Sequence, residues 1–391
     1  MYGRFVAGVC LVAGALAAPC CAQTLETLDY ISANASLPKV IVFGPLSATL
    51  MSASNWSAVD NINYGGGVGP TFPELVANVS EVLQVAQLSY IAMSSPSGSS
   101  NINSSTFLNV SQIANRLLCA EGSDIAGAVM IHGTNTLVET AFGVDLTLQC
   151  DKPFIVTAAM RPNTYVSPDG RANFYQAVAA AVSPDTVGRG GLIALNDRLT
   201  SIFYSTKLDA NTPDTFKALE QGNVGVFLAG QPYYYFDAAL PTGRPYFDIT
   251  NTTTLPSVIT LYGHQGFDAS LMYAAVANGA KGLVILGAGA ASLSTTATTA
   301  AADLYAQGIP VVAAPRPITG AGVPGISPGT VIKSGYVGGD QARIMLQLAI
   351  NAGYSLDQIR DLFEGPLRNA IYGPYANQLF YGLVPNPDGI F

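Results

Sequence analysis

The chain is 391 residues long and 49% apolar, enough for one large or two medium domains with substantial cores. A formal net charge of −8 at pH 7, with only 17 basic residues, argues against binding nucleic acid through phosphate neutralisation. Two histidines argue against a His-rich zinc site, and no run of like charge marks an interaction tail.

In chain order, the first element is a targeting segment. Arg4 precedes the apolar stretch "FVAGVCLVAGALAA" and then "PCCAQT", the pattern of a secretory signal peptide over residues 1–22, cleaved after Ala22. The alternative, a transmembrane anchor, is disfavoured because the run is short for spanning. The mature chain is therefore expected to be secreted, without a membrane partner. Asn34, Asn55, Asn78, Asn103, Asn109 and Asn251 each begin an Asn-x-Ser/Thr triplet, as in a glycoprotein, although such triplets also arise by chance. Cys10, Cys20 and Cys21 leave with the signal, so Cys119 and Cys150 are most simply one disulfide in an oxidising compartment. No thiolate then remains as nucleophile or metal ligand, and no metal or other cofactor is expected.

From residue 37 to 233, strands alternate with helices. "KVIVFG", "AGAVMIH", "FIVTAAM", "GLIALN" and "NVGVFLA" read as strands, and "FPELVANVSEVLQ", "VSQIANRLL" and "NFYQAVAAAV" as helices. This is the alternation of a doubly wound, mainly parallel α/β sheet. Residues 234–256 lose the periodicity and read as a linker. A smaller α/β domain follows over 257–391, with strands "SVITLYG", "GLVILG" and "PVVAAP" and helices "SLMYAAVANG", "STTATTAAADLYAQG" and "DQARIMLQLAINAG". Gly279, Gly308 and Gly353 sit where helix C-caps belong. The last stretch, "GPLRNAIYGPYANQLFYGLVPNPDGIF", is aromatic and Pro-rich and reads as a wrapping tail rather than a helix. "ILGAGAAS" has two glycines of a dinucleotide loop but Ser292 in place of the third, so a tight strand-to-helix turn is the better reading.

One turn carries chemistry-bearing residues. In "VMIHGTNTLVETAF", a buried strand runs through His132, Gly133, Thr134, Asn135 and Thr136 into a helix, the position at which open α/β sheets bind ligands. Threonine there is also an ordinary helix cap. The blocks "LPKVIVFGPLSATL", "NYGGGVG", "SSNIN", "HGTNTLVETAF", "QCDKPFIVTAAMRP" and "LNDRLTSIFYSTK" follow in an order that resembles the type II, secreted L-asparaginases, two-domain α/β amidohydrolases. The resemblance runs from about Leu37 to Ala349. It implies a threonine nucleophile at Thr49, allowing one extra residue after the strand, a helper tyrosine at Tyr64, and a second threonine–lysine pair, Thr134 and Lys207. It also implies Ser99 on the substrate's carboxylate, Ala159 facing the substrate, Cys119 and Cys150 as the disulfide, and a homotetramer whose sites are completed across an interface.

The chemistry is coherent on its own terms. An amide is a poor electrophile, so its hydrolysis needs a nucleophile, a base for the nucleophile's proton, and donors for the developing oxyanion. A lysine desolvated beside a threonine is able to accept that proton. Lys207 taken alone reads as an ordinary surface residue, and Tyr64 as a loop anchor.

The departures from the resembled pattern cluster. Its paired glycines are Ser47 and Ala48 here, which restricts a backbone that needs freedom near a ligand. The aspartate after the second threonine is Asn135, and "RPITGAGVPGISPGTVIKSGYVGGD" offers no carboxylate before Asp340. Both missing acids would have met a substrate ammonium, whose burial needs a counter-charge. The leading expectation is a secreted Thr-dependent amidohydrolase acting on asparagine or a related small amide, with weak or changed use of L-asparagine. The alternative is a catalytically inactive secreted binding or effector protein on the same scaffold. A periplasmic-type small-ligand receptor shares the two-domain outline but leaves the threonine blocks unexplained.

Overall fold

The computed structural model describes residues 28–64, 67–94 and 96–373; the expected signal peptide and residues 374–391 of the expected tail lie outside them. The first half builds β1 (Lys39–Gly44), α1 (Phe72–Asn78), β2 (Gln87–Ala92), α2 (Ser104–Leu117), β3 (Ile125–Ile131), α3 (Leu137–Asp145), β4 (Phe154–Thr157), α4 (Gly170–Val182) and β5 (Leu192–Leu195). Short strands follow: β6 (Arg198–Ser201), β7 (Thr206–Lys207), β8 (Phe216–Lys217), β9 (Gly225–Leu228) and β10 (Gln231–Tyr234). Eight of them form one sheet in the order β10-β9-β6-β5-β4-β3-β1-β2, while β7 and β8 pair separately. The strands from β1 to β5 are parallel, and β6, β9 and β10 add an antiparallel edge. Val40, Ile41, Val42 and Phe43 of β1 are fully buried, as a strand covered by helices on both faces requires.

The strand order reverses between β1 and β3: the chain leaves β1 toward β2 on one side and later returns to β3 on the other. This is the switch point of the sheet, at whose carboxyl ends doubly wound folds bind ligands, and the loops after β1 and β3 meet there.

The second half holds β11 (Val258–Tyr262), α5 (Ser270–Ala277), β12 (Gly282–Gly287), α6 (Thr295–Ala306), β13 (Val311–Pro315), β14 (Ile332–Lys333), α7 (Gly339–Asn351) and α8 (Leu356–Tyr372). Its sheet, β11-β12-β13-β14, is parallel throughout. Gly279, Gly308 and Gly353 follow α5, α6 and α7 with φ of 99°, 81° and 74°, the left-handed C-cap geometry that glycine adopts without a Cβ penalty. "ILGAGAAS" is a tight turn, with Ala288 bridging back to Ser292. Helix α7 joins the halves: Arg343 pairs with Glu139 at 3.3 Å and Gln341 Nε2 donates to the Ser205 carbonyl at 2.7 Å. Among the described residues no helix is long and apolar enough to cross a membrane.

Several elements differ from the sequence reading. "FPELVANVSEVLQ" is not one helix, because Val79 takes φ −143° and divides α1 from a 3-10 turn at Ser80–Gln84. β4 stops at Thr157, since the next three residues turn under Asp169. β2 is not legible in the sequence: its polar/apolar alternation lasts only four residues, and the polar members Gln87 and Ser89 are buried. Tyr234, the first residue of the expected linker, closes β10. The first eight residues of the expected tail, 365–372, are helical. Pro366 lies inside α8, which Ser355 and Gln358 start with a capping box and Ile359 and Phe363 anchor in the core. That packing outweighs the cost of one proline in the helix interior.

Candidate active site

Three loops meet at Gly133. Its N–H donates to the Leu46 carbonyl at 3.0 Å, joining the loop after β3 to the loop after β1. A Cβ built on Gly133 would lie 2.5 Å from the Ser47 carbonyl oxygen and 2.6 Å from Ser99 Cβ, so only glycine permits this approach. Leu46 and Ser47 themselves have positive φ, 43° and 57°, a conformation that side-chain-bearing residues adopt at some cost.

Ser99 opens the short 3-10 turn Ser99–Asn101 and is 3% exposed. Its Oγ accepts from the Asn135 N–H at 3.1 Å, and its carbonyl accepts from Thr136 Oγ1 at 2.6 Å. These bonds pin the "HGTNT" turn from one side. From the other side comes Lys207, at the end of β7, whose Nζ donates to Thr134 Oγ1 at 2.9 Å. Thr134 is nearly buried and Lys207 half-buried; burial pushes the amine below its usual pKa, with Asp209 partly opposing the shift. A lysine so placed reaches its neutral, proton-accepting form more readily than one in water.

Beneath the turn, His132 is fully buried. Its Nδ1 lies 2.7 Å from the Gly133 carbonyl, so Nδ1–H donates and Nε2 is left unprotonated, with no partner among the described residues. Burial pushes its pKa down to about 4. The imidazole is therefore a neutral wedge under the loop.

The other candidate residues are placed as follows. Ala159 is fully buried in the turn after β4, and Asp169 holds that turn by accepting from the Met160 and Arg161 N–H groups, each at 3.0 Å. Thr49 begins the 3-10 turn Thr49–Met51 and is 4% exposed; among the described residues no hydrogen bond joins it to Thr134, Lys207 or Ser99. In that loop Leu46 and Ser47 both meet Gly133, and the Ser47 hydroxyl donates to the Pro96 carbonyl. Tyr64 is partly exposed in a loop tied back by the Ala53–Gly67 bridge, and no hydrogen bond among the described residues carries its phenol to Thr134. Asn135 is exposed at the rim. Cys119 and Cys150 form a disulfide with Cα atoms 5.3 Å apart, joining the end of α2 to the segment after α3.

Sequence reasoning counted Ser47 only as a lost glycine and missed Asp169 altogether. An aspartate just before the glycine that opens α4 was the available signal for the second.

A family model for the N-terminal asparaginase domain matches residues 58–239, and one for the glutaminase/asparaginase C-terminal domain matches 257–363. The chain belongs to the asparaginase family. It is 40% identical over 337 residues to L-asparaginase 2-3 of Saccharomyces cerevisiae, covering 85% of this chain and 91% of that one. To L-asparaginase 2 of Bacillus subtilis it is 34% identical over 351 residues, covering 88% and 91%. The crystal structure of a probable cytoplasmic L-asparaginase from Campylobacter jejuni superposes with a TM-score of 0.77 at 27% identity, over 83% of this chain and 99% of that one. The asparaginase match in the first half begins past Thr49, so it includes the Thr134 and Lys207 turns but not the loop directly after β1.

Proposed function

We propose that this chain is a secreted amidohydrolase that releases ammonia from a small carboxamide, with asparagine or a related amide as substrate and Thr134 as the attacking group. The observation that carries the reading is the 2.9 Å contact between Lys207 Nζ and Thr134 Oγ1. Neutral Lys207 takes the Thr134 proton as the oxygen attacks the amide carbon. The resulting ammonium returns that proton to the departing nitrogen, ammonia leaves, and water then frees the acid from the threonine ester. Ser99, hydrogen-bonded to the same turn through Asn135 and Thr136, holds the substrate's carboxylate in this reading. The relatives named L-asparaginase support the amide class.

Use of L-asparagine itself is weak in this reading. Asn135 presents a neutral amide where an ammonium needs an anion, and no Asp or Glu lies between Arg316 and Asp340. A charge-assisted hydrogen bond is roughly twice as strong as a neutral one. The "FVAGVCLVAGALAA" segment supports secretion, and an assembly of identical subunits, a tetramer by resemblance, is part of the proposal.

A second reading, an inactive binding or effector protein, is favoured by one feature: Thr49 is buried without a hydrogen bond to Thr134 or Lys207. Ammonia release from L-asparagine and from succinamic acid, which lacks the α-amine, separates the two. Wild type should hydrolyse succinamic acid in preference, Asn135→Asp should raise asparagine turnover, and Thr134→Ala should lose on the order of 10²–10⁴-fold. Wild-type rates equal to Thr134→Ala on both substrates establish the inactive reading instead.

A further inference from the structure

A cavity of about 330 Å³ lies at the junction of the two halves, and neither Thr134 nor Lys207 lines it. Phe203, Met345, Leu362 and Phe363 supply apolar wall, and among the described residues no Asp, Glu, Lys, Arg or His lines it. A molecule that carries charge would lose its hydration there with no counter-ion, so the occupant is neutral. That excludes the amino acids and dicarboxylates of the proposed reaction.

The cavity also has unsatisfied polarity. Ser334 lines it, is fully buried, and its Oγ has no hydrogen-bond partner among the described residues. Buried hydroxyls are paired in most proteins, and this one, sealed as it stands, reaches a partner in the cavity by rotation about χ1. Leu362 and Pro366, also in the lining, stand one turn apart on α8. Proline has no N–H, so the Leu362 carbonyl lacks its usual donor four residues on. Tyr204, Tyr336 and Gln221 add further polar atoms, and burial raises the Tyr204 phenol above its ordinary pKa, keeping it protonated as a donor. The linker closes the site closely: a Cβ on Gly243 would lie 2.5 Å from Pro366 Cγ.

We infer that this cavity is a binding site for a neutral, largely apolar small molecule with a ring or short chain and one hydroxyl or carbonyl group, which hydrogen-bonds to Ser334. At ~30 Å³ per water-sized atom, the space holds roughly ten non-hydrogen atoms. A ligand here contacts Tyr204 of the first half, the linker and α8 together, so it joins the two halves without touching the Thr134 site.

The test uses the purified full chain and three probes of one shape: p-cresol, toluene and phenylacetate. Titration calorimetry, with ligand-observed nuclear Overhauser transfer to place the probe, should give saturable binding of p-cresol at one site per chain. Toluene should bind more weakly and phenylacetate not at all. Ser334→Ala should weaken p-cresol about three- to tenfold and leave toluene unchanged, the loss expected for one net hydrogen bond. Ala370→Trp, at the exposed rim, should block both. Thermal midpoints near that of wild type show that each variant folds. The inference is overturned by absence of saturable binding, by phenylacetate matching p-cresol, or by p-cresol affinity that survives Ser334→Ala unchanged.

Discussion

Lowering the pH from 7 towards 4 puts a proton on His132 in the unfolded chain long before the native protein accepts one. The fully buried imidazole has its pKa pushed from 6.5 to about 4, first by burial, with the bond to the Gly133 carbonyl acting the other way. Because the folded value is the lower one, the unfolded state binds more protons between these two pH values. Stability is then whole above 6.5, falls as pH drops through the interval, and stops falling near 4, where the native histidine also protonates. At about 1.4 kcal/mol per pH unit, the interval is worth ~3 kcal/mol. Urea midpoints measured from pH 7 to 4 on wild type and His132→Gln give the comparison. Carboxylates titrate alike in both proteins, so they cancel in the difference. Wild type should lose about 3 kcal/mol more than the variant across that span. Parallel curves would refute the reasoning, whatever the variant's absolute stability.

The rate of ammonia release should climb with pH along a limb set by Lys207, with a midpoint below the ordinary 10.5 because burial disfavours its charged form; a pH–rate profile that lacks this limb removes Lys207 as the base. Replacing Cys119 and Cys150 by serine opens a crosslink between residues 31 apart and should lower stability by about 3–4 kcal/mol in the chain-entropy account, read from urea unfolding. Arg244→Ala strands Asp145, which is buried and bound to Arg244 Nε at 3.0 Å and to the Gly191 N–H at 2.6 Å. It should cost about 3–5 kcal/mol, and a loss below about 1 kcal/mol would show the pair to be solvated.

What the sequence disclosed follows from which physical signals are local. Parallel strands buried on both faces leave continuous apolar runs, and "KVIVFG" and "GLVILG" were readable for that reason. The C-cap glycines were readable because positive φ selects a residue type. β2 was missed because its alternation, Gln87-Leu88-Ser89-Tyr90, is only four residues long, and the Gln87 side chain is turned inward to donate to the Leu37 carbonyl at 2.6 Å. In α8, Gly365 and Pro366 are local stop signals, whereas what keeps the helix going is tertiary: Glu364 is buried, accepts from the Lys333 N–H at 2.8 Å and pairs with Arg368 across the proline.

The site divides along the same line. Thr134 and Lys207 are 73 residues apart, and no periodicity says that their loops meet; only the ordered blocks of the resemblance did. Thr49 came from the resemblance, with Thr49-Leu50 set on the family's Thr-Ile pair and one extra residue allowed after the strand. The backbone just before it is unusual, because two successive non-glycine residues, Leu46 and Ser47, turn through positive φ. After that turn Ser47 lies against Gly133, and by residue 49 the chain has entered the 3-10 turn packed under α4. Left-handed backbone at non-glycine residues has no dependable sequence signature, since it is held by surrounding contacts rather than by residue preference. A loop whose register depends on it is therefore where residue matching has the least local signal to work from.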